Sequence, residues 1–468
     1  MHVDANPAPI DPLLPELLAT LDRHATVLLQ APPGAGKTTR VPPVLLDAGW
    51  RGNQRILMLE PRRLAARAAA RYMAGRMREP VGRTVGFRTR LETKVSAATR
   101  IEVVTEGILI RMLQRDPELA DFAAVLFDEF HERSLNADLG LALARESQQA
   151  LRPDLRLLVM SATLDTAPLA RLLDDAPVLT SEGRGFPVEM HYRPGRADQP
   201  MADQVRAAVL HALREHDGSL LVFLPGEAEI RAVARRLENA LDEHVDLYPL
   251  YGALPPSAQD AAIAPAPAGR RKVVLATAIA ETSLTIDGVR VVIDAGRERR
   301  AEFDPNSGMS RLITGRVSRS AAEQRAGRAG RTESGVCIRL WPEREHARLA
   351  AHSPAEILQA DLAGLVLELA RWGARAPDGL AWLDPPPEAH WRQAVDLLRW
   401  LDALDEDGAI TTTGGAMLDT GLHPRLAHML VRARERNLGA TAARLAALLS
   451  ERDVLGRDAG ADIEPRLR

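Results

Sequence analysis

One cysteine, Cys337, stands in 468 residues. A single thiol excludes an intramolecular disulfide and any zinc site built from cysteines, and it fits a reducing compartment. Aromatic residues make up only 4% of the chain, so aliphatic side chains must fill its cores. Lysine is scarcer still: it occurs at Lys37, Lys94 and Lys272, and arginine supplies the rest of the 60 basic residues. A GC-rich coding sequence accounts for that bias, and no mechanism follows from it. The formal net charge is −3, which removes any global basic signal for nucleic acid but leaves local basic surfaces open. No apolar run reaches the roughly 20 residues of a membrane span. The N-terminus, MHVDANPAPIDP, lacks the basic stretch and apolar core of a signal peptide. The expectation is a cytoplasmic protein with no membrane partner, monomeric by default.

What is there begins with QAPPGAGKTT, Gln30 to Thr39. It follows the apolar run Ala25–Leu29, which reads as a buried strand. A strand, a glycine-rich turn ending in Gly-Lys-Thr and then a helix is the arrangement that binds nucleotide phosphates. Gly34 and Gly36 let the backbone curl around Ala35 so that several N–H groups face one anion. Lys37 brings a positive charge to the phosphates, Thr38 offers a hydroxyl to Mg²⁺, and Thr39 continues into a helix whose positive end faces the ligand. Ala31 stands where the pattern GxxxxGK[ST] has glycine. That position closes the strand, where a small residue suffices.

Further apolar runs predict strands at Arg55–Glu60, Ile101–Val104, Ala123–Phe127 and Arg156–Met160, and a second set at Ser219–Leu224, Val245–Leu250, Lys272–Thr277, Val289–Asp294 and Cys337–Trp341. Leucines at 14, 17, 18 and 21 predict an amphipathic helix over Leu13–Leu21. Strands alternating with helices predict an α/β fold of two tandem parallel-sheet lobes, with the polar motifs at the carboxyl ends of the strands. The Gly- and Pro-rich stretch Arg184–Pro200 marks the boundary between lobes. Beyond Pro354 the pattern turns helical, broken by Asp384–Pro387 and Thr413–Gly415.

Asp128-Glu129-Phe130-His131 ends an apolar strand roughly 90 residues after Lys37. An acid there can hold Mg²⁺ through water, and its neighbour can polarise an attacking water. Taken alone, an Asp-Glu pair is more often a solvent-facing surface feature. No second histidine sits at helical spacing from His131, which argues against a zinc site. In Gln324-Arg325-Ala326-Gly327-Arg328-Ala329-Gly330-Arg331, a helix would place Gln324, Arg328 and Arg331 on one face, where guanidinium groups could meet a γ-phosphate. The other reading is a basic surface helix with too many glycines. Two glycines inside a helix cost roughly 1–2 kcal/mol, which suggests backbone in close approach to something.

Together these motifs resemble the DEAH/RHA helicases of superfamily two. The loop Gly34–Thr38, Pro61-Arg62-Arg63, Thr105-Glu106-Gly107, Asp128–His131, Ser161-Ala162-Thr163, TAIAETSLTI at 277–286 and QRAGRAGR at 324–331 occur in that family's order. QAPPGAGKTT, DEFHERSLNADL, HPRLAHML and LLSERD look most like its bacterial HrpB branch. The resemblance spans about Leu13 to Asp453. It implies two RecA-like lobes, at 13–184 and 185–350, after an irregular arm at 1–12. A winged-helix-like segment at 351–384 and a helical, ratchet-like segment at 385–468 would follow. It implies an ATP-dependent helicase that hydrolyses NTP with Mg²⁺ and moves 3′-to-5′ along single-stranded nucleic acid, RNA by family. Two other readings stand beside it: a remodeller of ribonucleoprotein without processive unwinding, and a nucleotide-gated RNA-binding module with little turnover.

The resemblance also implies roles residue by residue. Lys37 and Thr38 would bind phosphate and Mg²⁺, with Asp128 and Glu129 at the metal and Glu129 also as base. Gln324 would position water, and Arg328 and Arg331 would act as fingers. His131, Ser161 and Thr163 would couple the nucleotide to the nucleic-acid side, although a strand end or helix cap also explains Ser161 and Thr163. Arg62, Arg63, Thr105 and Thr277 would line the nucleic-acid backbone. Arg299–Ile313 reads as a hairpin turning at Asp304–Gly308, either between the lobes or simply on the surface. Ile263 and Asp287 would lie on the nucleotide side. The family continues with further helices and an OB-fold, so a chain ending at Arg468 is expected to be a fragment or a shortened relative. Related proteins place an aromatic residue at the position of Ile263, and an aliphatic side chain gives a base apolar cover without stacking. We therefore expect comparable hydrolysis of ATP, GTP, CTP and UTP measured side by side, and a strong ATP preference would contradict that.

Overall fold

The computed structural model describes residues 8–162, 166–182, 186–196, 198–281, 286–304, 307–331, 333–450, 460 and 462–467. Thr163, turn positions 305 and 306, residues 282–285 of the TAIAETSLTI string and residues 451–453 of LLSERD lie outside the described residues.

The first sheet is built from β1 (Thr26–Gln30), β2 (Arg55–Glu60), β3 (Val85–Arg88), β4 (Thr93–Lys94), β5 (Ile101–Thr105), β6 (Phe122–Phe127), β7 (Arg156–Ser161) and β8 (Val178–Thr180). Their order is β4-β3-β5-β2-β6-β7-β1-β8, and only β3–β4 is antiparallel. Strands as apolar as FAAVLF in β6 are buried on both faces, as parallel sheets require. Helices α1 (Leu14–Arg23), α2 (Lys37–Val44), α3 (Arg63–Arg76), α4 (Glu106–Arg115), α5 (Leu135–Ala150) and α6 (Thr166–Leu172) cover the faces. α1 buries Leu14, Leu17 and Leu21 against the same core as Ala66, Ala70 and Met73 of α3. Strand β7 lies between β1 and β6, with Gln30 opposite Ser161 and Phe127 opposite Val159. The phosphate-loop turn, the Ser161 turn and the Asp128 turn therefore leave three adjacent strand ends.

The second sheet comprises β9 (Val188–Tyr192), β10 (Ser219–Phe223), β11 (Val245–Leu250), β12 (Arg271–Ala276), β13 (Val289–Asp294) and, after a hairpin, β16 (Gly335–Arg339). Its order is β11-β12-β10-β13-β16-β9, every pairing parallel. The sequence reading ended this sheet at the strand around Cys337. The structure adds β9 outside it, a half-exposed strand whose short VEMHY pattern gave no buried-strand signal. Cys337 is buried in this sheet, and burial pushes its thiol up to about 12. Helices α7 (Met201–Glu215), α8 (Glu227–Leu237), α9 (Pro256–Ile263) and α10 (Arg319–Ala326) accompany it. The hairpin itself is β14 (Arg297–Asp304) and β15 (Met309–Arg316), longer at both ends than its sequence suggested.

By contacts the chain divides into two compact units. The first holds both sheets, as Met1–Glu302, Arg311–Glu356 and Ala381–Leu383. The second holds Phe303–Ser310, Ile357–Leu380 and Asp384–Arg468, with the hairpin tip among them. Within it α12 (Ala363–Trp372) packs on α13 (Glu388–Trp400) and α14 (Thr412–Thr420), and α15 (Pro424–Glu435) packs on α14 and α16 (Gly439–Ser450), while α11 (Glu343–His346) belongs to the first unit and α17 (Glu464–Leu467) follows α16. Asp361 accepts from His423 Nε2 at 2.9 Å and, with the backbone N–H of Ala363 also donating to it, is held below the usual carboxylate range against the effect of burial. Among the described residues no helix is long and apolar enough to cross a membrane.

Residues 8–12, expected as part of an irregular arm, pack on the phosphate loop. Ile10 is fully buried, its N–H donates to Ala35 O at 3.0 Å, and Asp11 lies 3.6 Å from Arg40. A β-carbon on Gly36 would sit 3.1 Å from Ala8 and 3.3 Å from Ile10, and φ there is +102°. Glycine is needed at 36 on both counts.

Candidate nucleotide site and the cleft between the sheets

The loop after β1 is set by two glycines in the left-handed region, Gly34 at φ +83° and Gly36 at +102°. Gly36 is the N-cap of α2, and no side chain caps that helix end. That helix end is thereby open to an anion, although the Thr39 N–H donates to Gly36 O at 3.2 Å. Ala31 serves where glycine was expected: it is buried, its N–H donates to Ser161 O at 3.0 Å, and its carbonyl accepts from Lys37 Nζ at 2.8 Å. Thr38 donates its hydroxyl proton to Asp128 Oδ2, which joins the loop to the acidic turn.

That turn is sharply bent. Glu129 sits at φ +49° and Arg133 at φ +50°, a conformation that costs a non-glycine residue about 1 kcal/mol or more. The bend buries both carboxylates side by side. Burial, with Glu129 adjacent, raises Asp128 above the usual carboxylate range despite Lys37 and Thr38. Burial would raise Glu129 too, but Lys37, His131, Arg328 and Arg331 outweigh it and hold that carboxyl low. His131 Nδ1 lies 3.5 Å from Glu129 Oε2 and accepts from the N–H of Ala162 at 3.3 Å. The imidazole therefore connects the acidic turn to the turn after β7, which carries Ser161.

Arg328 and Arg331 follow α10, beside the other sheet. α10 ends at Ala326, and residues 327–330 are turns, so the single helical face expected for Gln324, Arg328 and Arg331 does not exist. The cause is local. Gly330 approaches the strand-leading segment so closely that a β-carbon would lie 2.5 Å from Phe186 O, and Phe186 N–H donates to Gly330 O at 3.0 Å. The turn still delivers both guanidinium groups to the cleft. A β-carbon on Gly34 would be 3.7 Å from Arg331 Nε, which places Arg331 over the phosphate loop. Arg328 donates from Nε to Glu281 O at 2.8 Å. Burial lowers Arg331 to about 10, with Glu129 offsetting part of it. Burial and the nearby Arg331 also push Arg328 down, against Glu129 and Glu281. Gln324 is buried on the last turn of α10. Three cationic side chains, Lys37, Arg328 and Arg331, face two carboxylates, and a polyanion among them would relieve the cost of burying the guanidinium groups.

The donor set also fits Mg²⁺. One hydroxyl and one carboxylate, already hydrogen-bonded to each other, suit a cation that takes its other ligands from phosphate oxygens and water. Among the described residues no cluster of three His, Cys, Asp or Glu side chains forms an all-protein metal cage.

The residues expected along the nucleic-acid track are divided. Thr105 is the register partner of Glu60, so it leaves the sheet beside Pro61-Arg62. Arg62 donates to Ala278 O at 2.6 Å, next to Thr277, and to Glu132 at 2.9 Å. It thus crosses between the sheets, while Arg63 is exposed. Ile263 is the half-buried last residue of α9, and Asp287 follows Ile286 before β13. Sequence reasoning missed Arg325. It is fully buried, with Asp294 at 3.0 Å, Glu281 at 3.1 Å, Glu298 at 3.8 Å and the Phe223 ring at 5.1 Å. Its signal was Asp294, an acid at the end of an otherwise apolar strand. Glu356 was missed as well: its N–H donates to Arg133 O at 3.0 Å and its carboxylate accepts from Leu135 N–H at 2.8 Å.

A family model described as DEAD/DEAH box helicase matches residues 14–172, and one described as helicase conserved C-terminal domain matches residues 203–333. The chain is 51% identical over 448 residues to the ATP-dependent RNA helicase HrpB of Escherichia coli (strain K12), an alignment covering 96% of this chain and 55% of that protein. Among solved structures it is similar to the Escherichia coli DEAH/RHA helicase HrpB, with TM-score 0.91, 51% identity, and coverage of 96% of this chain and 57% of that one. It is also similar to the E. coli DExH-box NTPase HrpB, with TM-score 0.86, 49% identity, and coverage of 99% and 58%. The chain thus spans little more than half the length of the relatives it matches.

Glu106 provides a pH test of this region. Burial, with Glu132, Glu356 and Asp138 nearby, raises it to about 8, although Ser134 Oγ donates to it at 2.7 Å. An acid raised on folding takes up a proton between its unfolded and folded values, so its contribution to stability falls as pH rises from about 4.5 to about 8. Glu106→Gln should flatten that decline, seen as urea midpoints at pH 5.5, 7 and 8.5 that converge relative to wild type.

Proposed function

The chain belongs with the HrpB-like members of the DEAD/DEAH-box helicases, and from that premise we propose that it hydrolyses ATP, and other nucleoside triphosphates, to move 3′-to-5′ along single-stranded RNA. The observation that carries this reading is Arg331 of the second sheet lying over Gly34 of the first. A nucleotide in that cleft would touch both lobes, and its hydrolysis would remove the bond between them.

The roles follow from the positions. The uncapped first turn of α2 and Lys37 receive the β- and γ-phosphates. Thr38 and Asp128 would hold Mg²⁺, which when bound neutralises charge on the phosphate oxygens. Glu129 orients the attacking water and accepts its proton. The cations that help to hold this carboxyl low, Lys37, Arg328 and Arg331, are those a triphosphate would partly neutralise, so substrate binding raises the basicity of Glu129 when it is needed. Arg328 and Arg331 stabilise charge on the transferred phosphoryl group, and buried Gln324 helps to place the water. On the RNA side, Arg63, Thr105 and Thr277 grip sugar–phosphate rather than bases, as a motor that must step past any sequence requires. His131 and Ser161 link the two sides through the Ala162 N–H bond, and Thr163 is proposed to act with them.

The first experiment is the steady-state ATPase rate of this chain with and without single-stranded RNA. Strong stimulation supports the coupled reading, and hydrolysis without stimulation restricts the function to the nucleotide cleft. Glu129→Gln should retain nucleotide binding and lose turnover, and unchanged hydrolysis would remove Glu129 from the mechanism. Arg331→Ala should slow turnover on the order of 10³-fold, and a loss below about tenfold would argue against a finger.

A further inference from the structure

Lysine survives at three positions in this arginine-rich chain, and Lys272 is one that the mechanism does not use. It is the second residue of β12 and is 1% exposed. Its ammonium donates to three backbone carbonyls at the end of α9: Ala261 at 3.0 Å, Ala262 at 2.7 Å and Ala264 at 2.6 Å. It also lies 4.5 Å from the centre of the Tyr248 ring. Three acceptors converging on one point suit a tetrahedral ammonium. A planar guanidinium cannot meet them with the same geometry.

α9 needs this support. It has only two turns and no side-chain N-cap, and helices that short are marginal by themselves. Its negative end is held by the Lys272 charge. One turn back, Asp260 reaches across to the first sheet's α3, with Arg67 at 3.2 Å and Arg71 at 3.1 Å. The α3 end of this pair is fixed, because Ala66, Ala69, Ala70 and Met73 are buried in the first core. The α9 end has Ala262 in the second core and Gln259 donating to Tyr251 O and Gly252 O, and Lys272 holds its last carbonyls.

We propose that Lys272 is a positioning residue for nucleotide hydrolysis, which holds α9 so that Asp260 can latch the second lobe onto Arg67 and Arg71 of the first. This rests on the reading that nucleotide is hydrolysed between the lobes. The latch sets how often Arg331 stands over Gly34 before any nucleotide arrives. Losing it lowers the competent fraction, which raises KM, while the reacting groups and kcat are untouched. Lys272→Arg should raise KM for ATP about fivefold and leave kcat within about twofold, the scale of one partly exposed ion pair. Asp260→Asn should do the same. Because both act through one latch, the double variant should lose no more than the worse single variant. Additive losses, or a Lys272→Arg effect confined to kcat, would overturn the proposal.

A second readout needs no hydrolysis. Spin labels at Tyr72→Cys on α3 and Ser257→Cys on α9 sit at exposed positions, and Cys337 is buried away from label. The distance between them should lengthen and broaden in both Lys272→Arg and Asp260→Asn. Movement in Asp260→Asn alone would sink the role of Lys272. Lys272→Met keeps the stem against Tyr248 without the three hydrogen bonds and serves if the guanidinium cannot be housed. Wild type that hydrolyses nothing would refute the hydrolysis reading, while the label distances would still decide the latch.

Discussion

Charge balance in the cleft governs this structure. Two carboxylates, Asp128 and Glu129, are buried side by side on a strained turn, with Lys37, His131, Arg328 and Arg331 around them. Each group by itself would be expensive to bury. Their opposite signs make the arrangement tolerable, and an excess of positive charge prepares it for a polyanion. Lys37, Asp128, Glu129 and His131 come from the first lobe and Arg328 and Arg331 from the second, so the electrostatics of the site and the relation of the lobes are one problem.

Arg325 solves part of that problem from behind. Its ion pairs with Asp294 and Glu281 fasten α10 to the end of β13 and to the segment carrying Glu281. Glu281 in turn gives its carbonyl to Arg328, and its own carboxyl is raised by burial despite Arg325 and Arg62. A single buried guanidinium thus positions a second one, Arg328, which lies near Glu129. On the opposite side, Arg62 and Glu356 tie the residues after the acidic turn to Ala278 and to the chain beyond the second sheet. His131 joins Glu129 of the acidic turn to Ala162 in the turn that follows β7.

Much of this was legible because the signals were local. Nine of the ten apolar runs read from the sequence became strands within a residue of their expected ends, since continuous apolar stretches between polar turns have few alternatives in a parallel sheet; the run at Cys337 became Gly335–Arg339. Strands β3, β4, β8 and β9 were not legible. They are short or half-exposed and owe their state to a neighbouring strand. The helical face proposed for Gln324, Arg328 and Arg331 failed for a related reason. Sequence spacing cannot show that the Phe186 backbone passes against Gly330 and ends the helix early.

The sequence by itself determined the fold class, the phosphate loop, the acidic turn and the two arginines, because each is a short motif whose chemistry needs adjacent residues. Tertiary structure alone decided that Arg331 lies over Gly34, that Arg325 is a buried keystone, that Ile10 supports Gly36 and that Lys272 caps α9. Those relations join residues up to about three hundred positions apart. A guanidinium or ammonium takes its role from the carboxylates and carbonyls around it, and only the folded chain brings them within reach.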